Sequence, residues 1–183
     1  MIISKTPYRI PLAGGGTDLD FYFKKKGGLF LTCSFDHGVY VSVSKRLLDK
    51  KILVQTTDTQ FCYSTDKIKH ETVREVLRYF KIKRGIQINC FSSLPTRSGL
   101  GSSSALIVGL IVAISKLKKI KISKRKIVKI AYKIERKNLG YRGGWQDQIA
   151  STYGGILKVN IFKNSNFKVQ ELKIKKKIIK KLN

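Results

Sequence analysis

The stretch richest in chemistry is Leu94-Pro95-Thr96-Arg97-Ser98-Gly99-Leu100-Gly101-Ser102-Ser103-Ser104-Ala105. It leads from a strand-like run, Ile86 to Ser92, into an apolar helical run that continues to about Leu117. Gly99 and Gly101 permit positive φ and close approach of backbone to a ligand. The first N–H groups of the following helix have no internal acceptor, and the helix dipole adds partial positive charge there. An anion can fill that place. The serine hydroxyls can cap the helix, touch a phosphate or ligate Mg2+. No Lys-Ser/Thr pair follows the second glycine, so this is not the Walker loop. On these residues alone, a serine-capped helix after a glycine turn and a phosphate loop stay equally open.

Only 11 residues are acidic, so candidates for holding a cation or activating a hydroxyl are few. Glu135 is the one acid in its helical run, among Lys124, Arg125, Lys126, Lys129, Lys133, Arg136 and Lys137. Three and four positions away stand Ala131, Tyr132, Asn138 and Leu139, so the favourable helical spacings offer no ion pair. Glu135 therefore reads either as a solvated helix side chain or as a Mg2+ ligand working with a loop hydroxyl. Asp147 falls in the first turn after Gly143-Gly144, where the dipole favours any acid. Asp18 follows three glycines and Thr17, which suits turn chemistry. His37 and His70 have no evident partners and read as structural.

Leu94 to Ala105 resembles the second motif of the GHMP kinases, the family of galactokinase, homoserine kinase, mevalonate kinase and phosphomevalonate kinase. Lys5-Thr6-Pro7-Tyr8-Arg9-Ile10-Pro11-Leu12-Ala13-Gly14-Gly15-Gly16-Thr17-Asp18 is similar to the first motif. Its nearest variant is found in kinases of D-glycero-D-manno-heptose 7-phosphate or L-fucose, and Gly143-Gly144-Trp145-Gln146-Asp147-Gln148 resembles the same branch. The resemblance implies ATP-dependent phosphorylation of a hydroxyl on a sugar or sugar phosphate, with the anomeric hydroxyl expected. It implies that Pro95, Ser98, Gly99, Leu100, Gly101, Ser102, Ser103 and Ser104 bind ATP. Ser103 and Glu135 match the Mg2+ ligands, and Asp147 matches the residue that orients or deprotonates the sugar hydroxyl. Arg9 would hold Asp147 ionised and steady the transferring phosphoryl group. Gly16, Thr17, Asp18 and Gly144 would face the sugar. Trp145, the sole tryptophan, could stack on a sugar face or fill a core or interface.

The elements that must position these groups read as α+β: a mixed sheet with helices packed on it. Residues 2–12 alternate into the glycine turn. Residues 28–35 and 38–45 read as a strand pair with Asp36-His37-Gly38 as its turn, and 51–57 and 60–64 as two more strands. Residues 68–81 carry Val73, Val76, Leu77 and Phe80 at helical spacing. Helices are expected over Ser102–Leu117, from Ser123 to a stop at Gly140, and over Trp145–Tyr153; a strand is expected over Ile156–Phe162. The family's left-handed β-α-β crossover is implied by the resemblance alone and runs against the general rule. Residues 1–165 read as the ATP-binding domain and 166–183 as a basic tail. Family members continue into a second domain with a third glycine-rich motif. This sequence ends about where that domain should begin, so the expectation is a C-terminal domain that is missing or encoded separately.

The chain of 183 residues has 38 Lys+Arg and a formal charge of +27. Its 42% apolar content excludes a wholly disordered basic protein. The longest apolar run, Ala105 to Ile114, falls short of the roughly 20 residues a membrane span needs. The first residues carry no signal-peptide pattern. Cys33, Cys62 and Cys90 form no C-x-x-C pair and read as reduced core thiols, so a cytoplasmic protein is expected. Of the 38 basic residues 29 are Lys and only 9 Arg, scattered along the chain, which resembles the drift of an A+T-rich coding sequence. Base and phosphate recognition favour Arg, so a nucleic-acid partner is not the expected one. The positive field would still draw in an anionic substrate. A non-catalytic ATP- or sugar-binding remnant and a basic nucleic-acid-binding module stay as alternatives.

Overall fold

A computed structural model describes residues 1–95 and 98–173. Among them seven strands build one mixed sheet: β1 (Ile2–Ala13), β2 (Gly28–Lys45), β3 (Ile52–Gln55), β4 (Thr59–Cys62), β5 (Ile86–Ser92), β6 (Ile156–Ile161) and β7 (Phe167–Glu171). The order is β4-β3-β5-β2-β6-β7, with β1 also paired to β2. Only β3 and β5 run parallel among the pairs, joined by β4 and helix α2 (Glu71–Tyr79). The other helices are α1 (Asp20–Lys26), α3 (Ser102–Leu117), α4 (Lys124–Tyr132) and α5 (Gln146–Tyr153). This is the α+β class that the sequence implied.

The expected hairpin at Asp36-His37-Gly38 does not exist; β2 is one strand of 18 residues. Its first half pairs with β6, its second half with β5, and β1 runs along both. β1 pairs on both sides of residues 35–37, at Ser34 and at Gly38, with a register shift between, so the chain bulges there and does not turn back. Gly38 is there for close approach: a Cβ would lie 2.1 Å from the Thr6 carbonyl oxygen. The basic tail also begins later than residue 166, because Phe167–Glu171 pairs with β6 as an edge strand. Phe167 is buried there, and the exposed Lys168, Gln170 and Glu171 around it hid a strand. Residues 174–183 lie outside the described residues. Helix α1 had no sequence signal, since Phe23 is its one buried residue.

The predicted helix from Ser123 splits in two. The Ser123 hydroxyl caps α4 by accepting from the Lys126 N–H, and after Tyr132 the chain widens into a π-helical turn, Lys133–Asn138. Such turns are rare and displace side chains from the regular helical rows.

Helix α3 is apolar on nearly every side and packs into the larger core against Val39, Val41, Val43, Ile86 and Ile88 of the sheet. A second cluster joins Phe23, Phe30, Tyr132, Trp145, Leu157, Val159 and Phe167. Helix α3 lies tight on β1: the Ser4 hydroxyl donates to the Gly109 carbonyl at 2.9 Å, and a Cβ on Gly109 would sit 2.9 Å from Thr6 Oγ1 and 3.1 Å from Val41 Cγ2. Glycine normally weakens a helix interior, and this contact explains its place. Gly109→Val should therefore destabilise the domain by about 1–3 kcal/mol through overpacking, read by urea unfolding. An unchanged midpoint would contradict the tight packing.

Candidate active site

The loop before α3 ends in two left-handed glycines, Gly99 at φ 73° and Gly101 at φ 78°. Gly101 is the N-cap of α3, and no side chain caps the helix. The serine-capped alternative is thereby overturned. The hydroxyls of Ser103 and Ser104 bond Glu135, and among the described residues no side chain caps the start of α3. Ser104, expected at the nucleotide, is instead fully buried, with its hydroxyl taken up by Glu135.

Arg9 on β1 ties the loop to α5. Its Nε donates to Asp147 Oδ1 at 2.7 Å, its Nη1 donates to the Gly99 carbonyl at 2.8 Å, and its backbone N–H donates to the Leu100 carbonyl at 3.1 Å. The ion pair is largely shielded, with 13% and 21% of the two side chains exposed. A Cβ on Gly101 would lie 3.5 Å from the Asp147 carboxyl carbon. The three positions, 9, 101 and 147, thus meet at the mouth of the phosphate-loop candidate.

Glu135 sits in the π turn and is only 1% exposed. The expectation of a possible solvated helix side chain fails here. Its Oε1 accepts from the Ser103 hydroxyl at 2.5 Å and lies 3.6 Å from Arg136 Nη1. Its Oε2 accepts from the Ser104 hydroxyl and from Gln148 Nε2 at 2.6 Å. Neighbours in sequence diverge on a regular α-helix. The π turn removes that rule, which is why Arg136 was missed as the partner of Glu135. Gln148 was missed because a helical amide beside an acid carries no signature of its own.

Asp18 is 5% exposed, and its Oδ2 accepts from the Gln146 backbone N–H at 2.9 Å, satisfying the start of α5. Gly144 packs against it so closely that a Cβ would lie 2.1 Å from Oδ2. Thr17's hydroxyl is taken up by the turn, bonded to the backbone of Gly14 and Leu29. Gly16, at φ 86°, has open space around it. Asp18 and Gly144 therefore come together beside the other groups, with Thr17 shaping the turn under them. Trp145 does not face a ligand: it is 5% exposed and stacks on Tyr132 with ring centroids 3.8 Å apart. Tyr132 donates to Asp20 Oδ1 at 2.6 Å. Burial, then the adjoining Asp20, pushes the Tyr132 phenol upward. Burial also pulls Asp20 upward, but hydrogen bonds from Lys24 and Tyr132 outweigh it and hold that carboxyl below its ordinary range. Pro95 and Ser98 flank the loop, while Thr96 and Arg97 lie outside the described residues. His70 starts α2 and is held neutral by burial, in keeping with a structural part.

For a divalent cation the chemistry of the donors is apt. One buried carboxylate and an adjacent hydroxyl are hard oxygen ligands, and Mg2+ is usually held by one or two carboxylates plus phosphates and waters. Among the described residues no group of three or more His, Cys, Asp or Glu is placed to hold a metal by itself. Glu135 and Ser103 therefore fit a cation that arrives with a phosphate-bearing partner.

Residues 67–155 match the GHMP kinases N terminal domain. A D-glycero-alpha-D-manno-heptose 7-phosphate kinase from Campylobacter jejuni is 34% identical over 193 residues, which cover 99% of this chain and 57% of that protein. A mevalonate kinase from Saccharolobus solfataricus is 40% identical over 85 residues, 46% of this chain and 27% of that one. The crystal structure of a D-glycero-D-manno-heptose 1-phosphate kinase from Bacteriodes thetaiotaomicron superposes with a TM-score of 0.92 at 27% identity, covering 100% of this chain and 63% of that one. The chain carries the N-terminal domain of the GHMP kinases. It spans about three-fifths of the length of its heptose-kinase relatives.

Arg9 and Asp147 should be energetically coupled. In urea unfolding of Arg9→Met, Asp147→Asn and the double variant, a coupling of about 0.5–3 kcal/mol is expected. Additive losses would mean that the pair does not form in solution.

Proposed function

We propose that this chain is the ATP-binding part of a kinase acting on a sugar phosphate, with the anomeric hydroxyl of a heptose 7-phosphate as acceptor. The observation that carries the reading is Arg9, which holds Asp147 and the Gly99 carbonyl in one grip. The names of the two heptose-kinase relatives support the substrate class.

In this reading the β- and γ-phosphates lie over Ser98 to Ser103, against the uncapped, positive end of α3. Gly101 lets the backbone approach closely. Asp147 orients the attacking hydroxyl and accepts its proton as the new oxygen–phosphorus bond forms and the bond to ADP breaks. A carboxylate is basic enough, because in a loose transition state the proton leaves late. Arg9 aims Asp147, and its guanidinium lies where negative charge gathers on the transferring group. Asp18 and Gly144 shape the sugar side. Ser103 and Glu135 would hold Mg2+, which when bound neutralises charge across the phosphate oxygens. The region corresponding to the rest of the relatives' length completes the enzyme. An ATP-dependent reaction and three free thiols fit a cytoplasmic setting. Among the described residues no helix is long and apolar enough to cross a membrane.

Asp147→Asn keeps the shape and removes the charge. With this chain joined to the C-terminal part of a heptose-kinase relative, phosphoryl transfer to heptose 7-phosphate should fall about a hundredfold or more, while ATP affinity stays nearly constant. Full activity in the variant would refute the role of Asp147. Gly101→Val should do the reverse and weaken ATP binding, since a side chain there enters the space between Arg9 and Asp147 in a backbone conformation that disfavours it.

A further inference from the structure

The two oxygens of Glu135 have different surroundings. Oε2 is closed on the protein side by the Ser104 hydroxyl and the Gln148 amide, both fully buried. Oε1 is met by the hydroxyl of Ser103, a half-buried residue at the loop, with the Arg136 guanidinium further off. The Gln148 amide cannot turn over: its nitrogen faces two acceptors, Glu135 Oε2 at 2.6 Å and Ser104 Oγ at 3.2 Å. Its Oε1 meanwhile is buried with no partner among the described residues. A buried carbonyl left unpaired destabilises a fold. The bonds from its nitrogen are the compensating gain.

We infer that Gln148, with Ser104, is a positioning residue that reserves Oε2 of Glu135 and leaves Oε1 alone to face a cation, so that the site discriminates Mg2+ from Ca2+. This rests on the phosphate-loop reading above. A carboxylate pinned through one oxygen can bind a cation through the other only. Mg2+ accepts that arrangement, being small, octahedral and content with few protein ligands. Ca2+ takes more oxygens at longer distance and often both oxygens of one carboxylate. Arg136, anchored on the carbonyls of Gly144 and Arg142, balances the buried charge when no cation is present.

The test is ATP binding by this chain, by calorimetry without sugar, in chelator, in Mg2+ and in Ca2+. Gln148→Leu removes the amide at similar volume, and Ser104→Ala removes the other donor by deleting one atom. Thermal melts establish that each variant is folded, and Ser104→Ala keeps the question answerable if Gln148→Leu is not. The wild type should bind ATP more tightly in Mg2+ than in Ca2+. In the variants the Mg2+-dependent tightening, taken against each variant's own affinity in chelator, should fall roughly 10–100-fold, and the preference over Ca2+ should shrink. A merely structural role would lower the melting point and leave the ratio of the two cations alone. An unchanged ratio in the folded variants overturns the inference, as does a wild type indifferent to cation identity. A wild type that binds no ATP under any condition overturns the phosphate-loop reading itself, and this inference with it.

Discussion

A buried carboxylate organises this domain. Glu135 is nearly sealed from water, and an ionised group taken into an apolar interior is strongly unfavourable unless it is paired and hydrogen-bonded. Its partners come from three places: the start of α3, the π turn, and α5. Satisfying one side chain therefore fixes where three helical segments meet. It also draws two serine hydroxyls away from the end of α3, which among the described residues no side chain caps. The carboxylate and the candidate phosphate loop are thus two sides of one arrangement.

The second constraint is close approach. Gly144 must be bare because Asp18 presses on it, Gly38 because Thr6 does, and Gly109 because β1 and β2 do. These contacts bring β1 under α3 and α5. Arg9 can then reach a loop carbonyl and a helix carboxylate at once. A basic chain of this charge would repel itself around any further cation. Here the Arg9 guanidinium is absorbed by Asp147 and by the Gly99 carbonyl.

Much of this was legible in sequence wherever the cause was local. The limits of β5 and α3 coincide with the predicted ones, because an alternating run and a long apolar run each bury their own pattern. Ser123 capped its helix as its type and position suggested. The loop, Glu135 and Asp147 could be singled out because glycine spacing and scarce acids are visible without a fold, whereas Arg9 was marked only by the resemblance to the family's first motif. What stayed hidden depended on partners distant in sequence. β2 runs straight because two different strands pair with its halves. The edge strand at Phe167 was masked by its exposed polar residues, Lys168, Gln170 and Glu171, and Trp145 went to the core because Tyr132 offered a flat face. The pairing of Glu135 with Arg136 and Gln148 needed a π turn, which no periodicity announces.

The claim at the centre is that the open end of α3 receives nucleotide phosphates while the buried carboxylate stands beside them. Titrating isotope-labelled chain with ATP and Mg2+, and following backbone amide and glutamine side-chain resonances, tests it most directly. The account predicts the largest shifts at Gly99, Gly101, Ser102 and Ser103, with the side-chain amide of Gln148 moving along with them. Shifts confined to other parts of the surface, with these resonances unmoved at saturation, would contradict it.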